Sequence, residues 1–309
     1  MLKLSFQKLD QQQQAIVLGL LTVLCWSTVA TVFKLSLQYL TPVQLIVIAC
    51  CVSFAFLIGV LLWQRRFKQL FLLDQSEYLW SIVFASMNPA LYYWLLFSAY
   101  DILPAQEAQA INLSWAIVLT LLAVPLLGQR LLWTDIVAAL VCYLGVLVIA
   151  TQGNLLALKF ENPYGALLAI LSTIVWSLYW IFNRRDTREP ILGLTLNFAF
   201  AIPIVAVFAW RSGDLSLLFE APSYAWLGAI YVGIFEMGLA FVLWLYAMKR
   251  ATNTSQLANL VFIAPFLSLI FIAVFLSEEI RLSTLVGLIL IIAGLLVQQR
   301  FKREPVLNE

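Results

Sequence analysis

Ile230-Tyr-Val-Gly-Ile-Phe-Glu-Met-Gly-Leu-Ala-Phe-Val-Leu-Trp244 carries a single charge, Glu236, close to its middle. Read outward to 223–247, the run is long enough to cross a bilayer, which takes about 20 apolar residues. A carboxylate at that depth costs about 2.5–3.5 kcal/mol on insertion scales, so such residues usually face a polar cavity and serve function. The competing reading is a structural carboxylate, hydrogen-bonded to an amide, hydroxyl or water inside a helix bundle.

The rest of the chain fits that setting. Of 309 residues, 63% are hydrophobic and 11% charged, with a mean hydropathy of +0.95. A soluble domain carries roughly 25% charged residues. The composition therefore predicts an all-α polytopic membrane protein, with the lipid bilayer as its surroundings. A net charge of +2 gives no sign of nucleic-acid binding. The chain has no histidine, which removes the commonest metal ligand and the usual near-neutral proton shuttle. Cys25, Cys50, Cys51 and Cys142 all fall in apolar runs and read as small core residues. No metal, no cofactor and no cleavable signal are expected. No nucleophile–histidine pair or glycine-rich phosphate loop is present, so no enzyme is expected either.

Apolar runs place ten spans near 15–35, 42–63, 78–99, 105–127, 132–151, 163–183, 191–210, 223–247, 254–276 and 282–300. Their connections are short and basic. With the N-terminus in the cytoplasm, all but four of the 18 basic residues fall on the cytoplasmic side, among them Arg65, Arg184 and Arg188. The exceptions are Lys34, Lys159, Arg211 and Arg281. That asymmetry is the positive-inside pattern. It fits ten spans with both termini inside, and nine or eleven spans would spoil it.

The two halves of the chain also resemble each other. Leu24-Cys-Trp26-Ser27 returns as Ile174-Val-Trp176-Ser177. The stripe Gln106, Gln109, Asn112 returns as Asn253, Gln256, Asn259. Leu144-Gly145 returns as Ala293-Gly294, each at a displacement of about 150 positions. Five helices per half is an odd number, so the second half enters the membrane from the opposite side. Such inverted repeats are typical of secondary transporters, with substrate held near the midplane. The expected organisation is a cytoplasmic segment 1–14, repeats at 15–151 and 163–300, and a cytoplasmic tail 301–309.

These repeats, with the turns Leu127-Gly-Gln-Arg-Leu131 and Leu276-Ser-Glu-Glu-Ile280 before the last helix of each half, resemble the EamA-like branch of the drug/metabolite transporter superfamily. The resemblance covers residues 15–300. It implies a central cavity lined by helices 1, 3, 4, 6, 8 and 9, with helices 5 and 10 peripheral. The tryptophans and Asn112-Leu-Ser-Trp115 look most like the exporters of aromatic and other amino acids. One departure is Gln129, which stands where the second repeat has Glu278.

Within the spans, residues three apart share a helix face. Gln109 and Asn112, with Gln106 before them and Trp115 beyond, form one amide stripe. Gln256 and Asn259 form its counterpart. Amides offer donors and acceptors to a zwitterion without the desolvation cost of a charge; as packing elements they would instead contribute about 0.6 kcal/mol apiece. Asn88, followed by Pro89, occupies the position matching Glu236 in the other half. Trp26 beside Ser27, and Trp176 near Tyr179, are further candidates to contact substrate, as is Tyr92; Tyr93 is a possible companion. Glu236 is also the candidate to carry a coupling proton. Glu107 reads as a solvated helix N-terminus and Lys34 as a side chain reaching to the interface.

The expectation is a multi-pass transporter of a bacterial inner membrane, a monomer or homodimer, that exports amino acids by alternating access around a small-molecule substrate. A nucleotide-sugar, sugar-phosphate or drug carrier is the nearest alternative. Phosphate would need clustered cations at depth, and the spans hold none beyond Lys34. A membrane-embedded enzyme or scramblase is the alternative of another class.

Overall fold

The computed structural model describes residues 9–128, 132–155, 162–183, 186–252, 257 and 260–301. It is helical, with no strand among the described residues. Eight helices are long and apolar enough to cross a membrane. They are α1 (Gln11–Ser36), α2 (Pro42–Trp63), α3 (Gln75–Ile102), α4 (Ala105–Leu127), α5 (Trp133–Ala150), α6 (Pro163–Asn183), α7 (Pro190–Ser212) and α8 (Ser223–Arg250). The last two predicted spans hold shorter apolar stretches, Ile263–Leu276 (α9) and Leu282–Val297 within α10 (Leu282–Phe301). Gln129, Lys159, Arg184, Asn253, Gln256 and Asn259 lie outside the described residues.

Sequence punctuation sets the helix ends. Asp10 and Gln13 form a reciprocal capping box at the start of α1, as do Thr41 and Gln44 at α2, where Pro42 takes the first turn. Each box satisfies backbone N–H groups that have no intrahelical partner. Gly128 (φ 66°) and Gly213 (φ 81°) close α4 and α7 in the left-handed conformation that glycine adopts without strain.

The chain divides into two compact units. Unit one takes Met1–Asp101 and Thr187–Glu278, and so holds α1, nearly all of α3, α2, α7, α8 and α9. Unit two takes Ile102–Asp186 and Glu279–Glu309, with α4, α5, α6 and α10. Each unit draws helices from both halves of the sequence. In unit one, α1 packs on α8 and α9, and α2 on α7 and α8. In unit two the main pair is α5 with α10. Their backbones touch: a Cβ on Gly145 would lie 2.5 Å from the Gly287 carbonyl oxygen, and one on Gly287 would lie 2.6 Å from that of Gly145. Van der Waals packing of this kind drives helix association in lipid, where no hydrophobic force acts between helices.

Candidate functional site

In unit one the candidate site is built on two irregular helices. α8 widens into π-helical turns over Val232–Ala240, and Glu236 sits among them. Wide turns of this type often accompany functional residues. The same stretch packs tightly on α2. A Cβ on Gly233 would lie 2.7 Å from the Ala49 carbonyl oxygen, and one on Gly238 would lie 2.7 Å from the Phe56 ring. α3 leaves helical geometry at Asn88 (φ −141°, ψ 116°), because the residue before a proline is driven out of the α region. The helix resumes at Tyr92.

Glu236 is 9% exposed and Asn88 3%. Tyr93, fully buried on α3, donates its hydroxyl to Glu236 Oε1 at 3.0 Å. Among the described residues Glu236 Oε2 has no hydrogen-bond partner, nor does Asn88 Oδ1. No ion pair reaches Glu236 among the described residues. With no counter-ion among the described residues, such a carboxylate lacks an offset to its desolvation, a costly condition for an ionised group.

The other predicted residues of unit one surround different contacts. Tyr92 packs edge-on against Tyr93, with ring centroids 4.8 Å apart. Trp26 meets Trp244 at 5.5 Å. Ser27 is buried and donates its hydroxyl back to the Val23 carbonyl at 2.6 Å. Its neighbour Thr28 exchanges a 2.7 Å hydrogen bond with Tyr231, so a hydroxyl link joins α1 to α8 one residue beyond the predicted one.

Unit two brings together Gln109, Asn112, Trp115, Trp176 and Tyr179. α4 is interrupted at Leu113 and Ser114, directly after Asn112. Asn112 donates to Ser172 Oγ on α6 at 2.9 Å. Ser177 Oγ lies 2.8 Å from the Trp115 carbonyl and 2.7 Å from that of Thr173. The Trp176 ring is stacked on Tyr179 at 5.8 Å and stands edge-on to Trp115 at 6.4 Å and to Trp180 at 5.7 Å. Also in unit two, Gln109 Oε1, Ser114 Oγ and Trp180 Nε1 are buried without a hydrogen-bond partner among the described residues. The first residue of the stripe behaves differently. Gln106 donates to the Glu279 carbonyl at 2.9 Å and accepts from Thr284 Oγ1 at 2.8 Å and Arg281 N at 3.0 Å. It fastens α4 to the start of α10.

One charge departs from its sequence reading, and a second is buried where the sequence made no call. Glu107 is 3% exposed and not solvated; it is ion-paired with Arg281 and lies 3.4 Å from Gln152 Nε2. The start of α10 covers it. Arg188 falls in a loop by sequence, yet it is 6% exposed. Its guanidinium donates to Ser81 Oγ, to the Glu77 carbonyl and to Asn197 Oδ1, and lies 5.2 Å from the centre of the Phe84 ring. Asn197 and Ser81, polar residues within apolar spans, were the available signal for it. Lys34 donates to the carbonyls of Tyr100 and Asp101 at 2.8 and 3.0 Å, near the end of α3. Next to Arg188, Glu189 caps α7 by accepting from the N–H groups of Ile191 and Leu192, and pairs with Arg66 at 3.3 Å and Lys249 at 3.7 Å.

A helical, strongly apolar chain with an uncompensated acid on a wide helical turn has the features of a membrane transporter. The pattern of the EamA-like transporter family matches residues 13–151 and again 163–298. The chain belongs to that family, and it is a multi-pass membrane transporter rather than an enzyme. Among curated relatives it is 26% identical, over 85% of its length and 89% of theirs, to the aromatic amino acid exporter YddG of Ancylobacter novellus. It is 27% identical to a probable terminal-alkyne amino-acid exporter of Streptantibioticus cattleyicolor, over 66% of this chain and 69% of that one. A solved crystal structure superposes with a TM-score of 0.61 at 24% identity, covering 94% of this chain and 100% of the other, and so shares the fold.

Proposed function

We propose that this protein exports amino acids, aromatic ones included, across a bacterial inner membrane. In this reading it is a ten-helix secondary transporter of two inverted five-helix repeats, with both termini in the cytoplasm, working by alternating access. The observation that carries the reading is Glu236: buried, held through one oxygen by Tyr93, and without a counter-ion among the described residues. Such a group is suited to bind a substrate ammonium or to carry a coupling proton. The relatives named as amino-acid exporters support the substrate class. Trp26, Ser27, Asn88, Tyr92, Gln109, Asn112, Trp115, Trp176, Tyr179, Gln256 and Asn259 are its proposed substrate contacts. The phosphate-carrier alternative gains nothing from Arg188, whose guanidinium is engaged by Ser81, Asn197 and Glu77.

Movement of radiolabelled amino acids into proteoliposomes tests this reading. Saturable transport of at least one is expected. Movement of none, with lipid exchanged between leaflets instead, would replace the transporter reading by a scramblase. The topology has its own check. A Lys159→Cys variant is expected to react with an impermeant thiol reagent in intact cells; reaction only after permeabilisation would sink the ten-span arrangement.

A further inference from the structure

We infer that the basic cluster where α2 and α8 end, with the turn that follows α2, forms a docking surface for an anionic phospholipid. The inference goes beyond the export reading and rests on the membrane setting alone. All its residues belong to unit one. Arg65 and Arg66 follow α2, and Lys249 and Arg250 close α8. Glu189 Oε1 lies 3.3 Å from Arg66 Nη1 and 3.7 Å from Lys249 Nζ, so one oxygen gathers the two helix ends. Gln64 Nε2 donates to the Tyr246 hydroxyl at 2.8 Å and joins the same ends. Arg65, in the left-handed conformation (φ 57°), turns the chain out of α2 into a short 3-10 turn, Phe67–Phe71. Leu70 is buried, and its carbonyl accepts from the Tyr78 hydroxyl at 2.6 Å, which fixes the inner face of that turn on α3.

The outer face is apolar and basic at once. Phe71 is 70% and Leu72 78% exposed, and both lie in the connection between α2 and α3, outside either span. Trp63, the last residue of α2, is 82% exposed. Arg65 and Lys68 are exposed too, and their side chains make no hydrogen bond or ion pair among the described residues. Arg65, Arg66, Lys68, Lys249 and Arg250 stand against the acids Glu189, Asp74 and Glu77, an excess of five to three. Of those acids, Glu189 is already ion-paired and Glu77 accepts from the Asp74 N–H at 2.8 Å. A free anion would answer the cations and leave the apolar face bare. A zwitterionic lipid would cover that face but bring its own cation to the site. An anionic phospholipid answers both, with its phosphate at Arg65 and Lys68 and an acyl chain along Trp63, Phe71 and Leu72. Basic residues beside a span attract anionic headgroups, tryptophan favours the same interface, and an exposed apolar patch with a polar rim marks a contact surface.

The test measures binding of radiolabelled dioctanoylphosphatidylglycerol to the full chain in neutral detergent. Saturable binding is expected. Dioctanoylphosphatidylcholine, with the same chains, and glycerol 3-phosphate, with no chains, should each compete at least about tenfold less well than the unlabelled lipid. Arg65→Gln combined with Lys68→Gln should weaken binding at least about tenfold. Phe71→Ser combined with Leu72→Ser should cost a similar factor through lost apolar contact, about tenfold. Arg211→Gln, at the other end of α7, should leave the affinity unchanged. Equal competition by the phosphatidylcholine would reduce the surface to an ordinary lipid contact, and equal competition by glycerol 3-phosphate would make it a site for soluble anions. Either result overturns the proposal. So does wild-type affinity in a monodisperse Arg65→Gln, Lys68→Gln protein. Should that double variant fail to fold, Lys68→Gln alone carries the comparison, with a loss of about fivefold expected and an unchanged affinity again fatal.

Discussion

Glu107 and Glu236, buried carboxylates in different units, solve the same problem in opposite ways. Glu107 in unit two is 3% exposed and its charge is met by Arg281. Glu236 in unit one is 9% exposed and meets a single tyrosine hydroxyl, with one oxygen left over. Burial alone does not separate them, and neither does residue type. The difference lies in what remains unbonded. A satisfied buried pair fixes the ends of two helices, whereas an acid with a free oxygen retains capacity for something that arrives and leaves.

That contrast makes Arg281→Ala the most damaging single change to stability. It removes the Arg281 cation from Glu107, and breaking a buried pair costs about 3–5 kcal/mol. The low end is expected, because the Arg281 side chain is 37% exposed. Thermal melts in detergent should show the loss, and Glu107→Ala combined with it should recover part. A melt unchanged by Arg281→Ala would erase the distinction between the two acids.

Glu236→Gln should do the converse. Transport per folded molecule is expected to fall at least about tenfold, while stability stays within about 1 kcal/mol, since the shape and a hydrogen-bond acceptor remain. If coupling runs through this carboxylate, the residual transport should also lose its response to an imposed pH gradient. Wild-type rate, affinity and pH response in the variant would make Glu236 as structural as Glu107.

Tyr93→Phe sharpens the comparison by removing only the hydroxyl on Oε1. A cost of about 1.5–3 kcal/mol is usual for a hydrogen bond to a charged group. Here it is expected as weakened substrate affinity with a modest change in melting. A large stability loss with intact affinity would show that the tyrosine braces the helices instead. The smallest effect is Asn112→Leu, which removes one hydrogen bond to Ser172, worth about 0.6 kcal/mol between membrane helices. If Asn112 also contacts substrate, transport per molecule should fall by more than that figure accounts for.

The helices were legible because apolar runs of bilayer length have few alternatives. Glu236 was legible because a lone acid in such a run is conspicuous. Tyr93 was harder to separate from Tyr92: neighbours on a helix point about 100° apart, and only packing decides which one reaches α8. Glu107 was misread, and the burial of Arg188 gave no sign in its own position, for a shared reason. Position at a helix end or in a loop predicts exposure for the backbone, but a long side chain goes where a neighbouring helix receives it. Arg188 reaches Asn197, nine positions on, and the start of α10 covers Glu107 from far along the chain. The composition of the two compact units was equally hidden, because each collects helices from both halves.

Arg188 and Glu189 are adjacent in sequence and tie the start of α7 to its neighbours by two means. The arginine works in a dry setting, against Ser81, Asn197 and Phe84. The glutamate works at a quarter exposure, against Arg66 and Lys249. Mobile ions screen exposed charges over about 8 Å at physiological ionic strength and over about 3 Å at 1 M, but barely reach buried ones. One fastening of α7 is therefore expected to weaken in strong salt while the other holds, so ionic strength alone can tell the two apart.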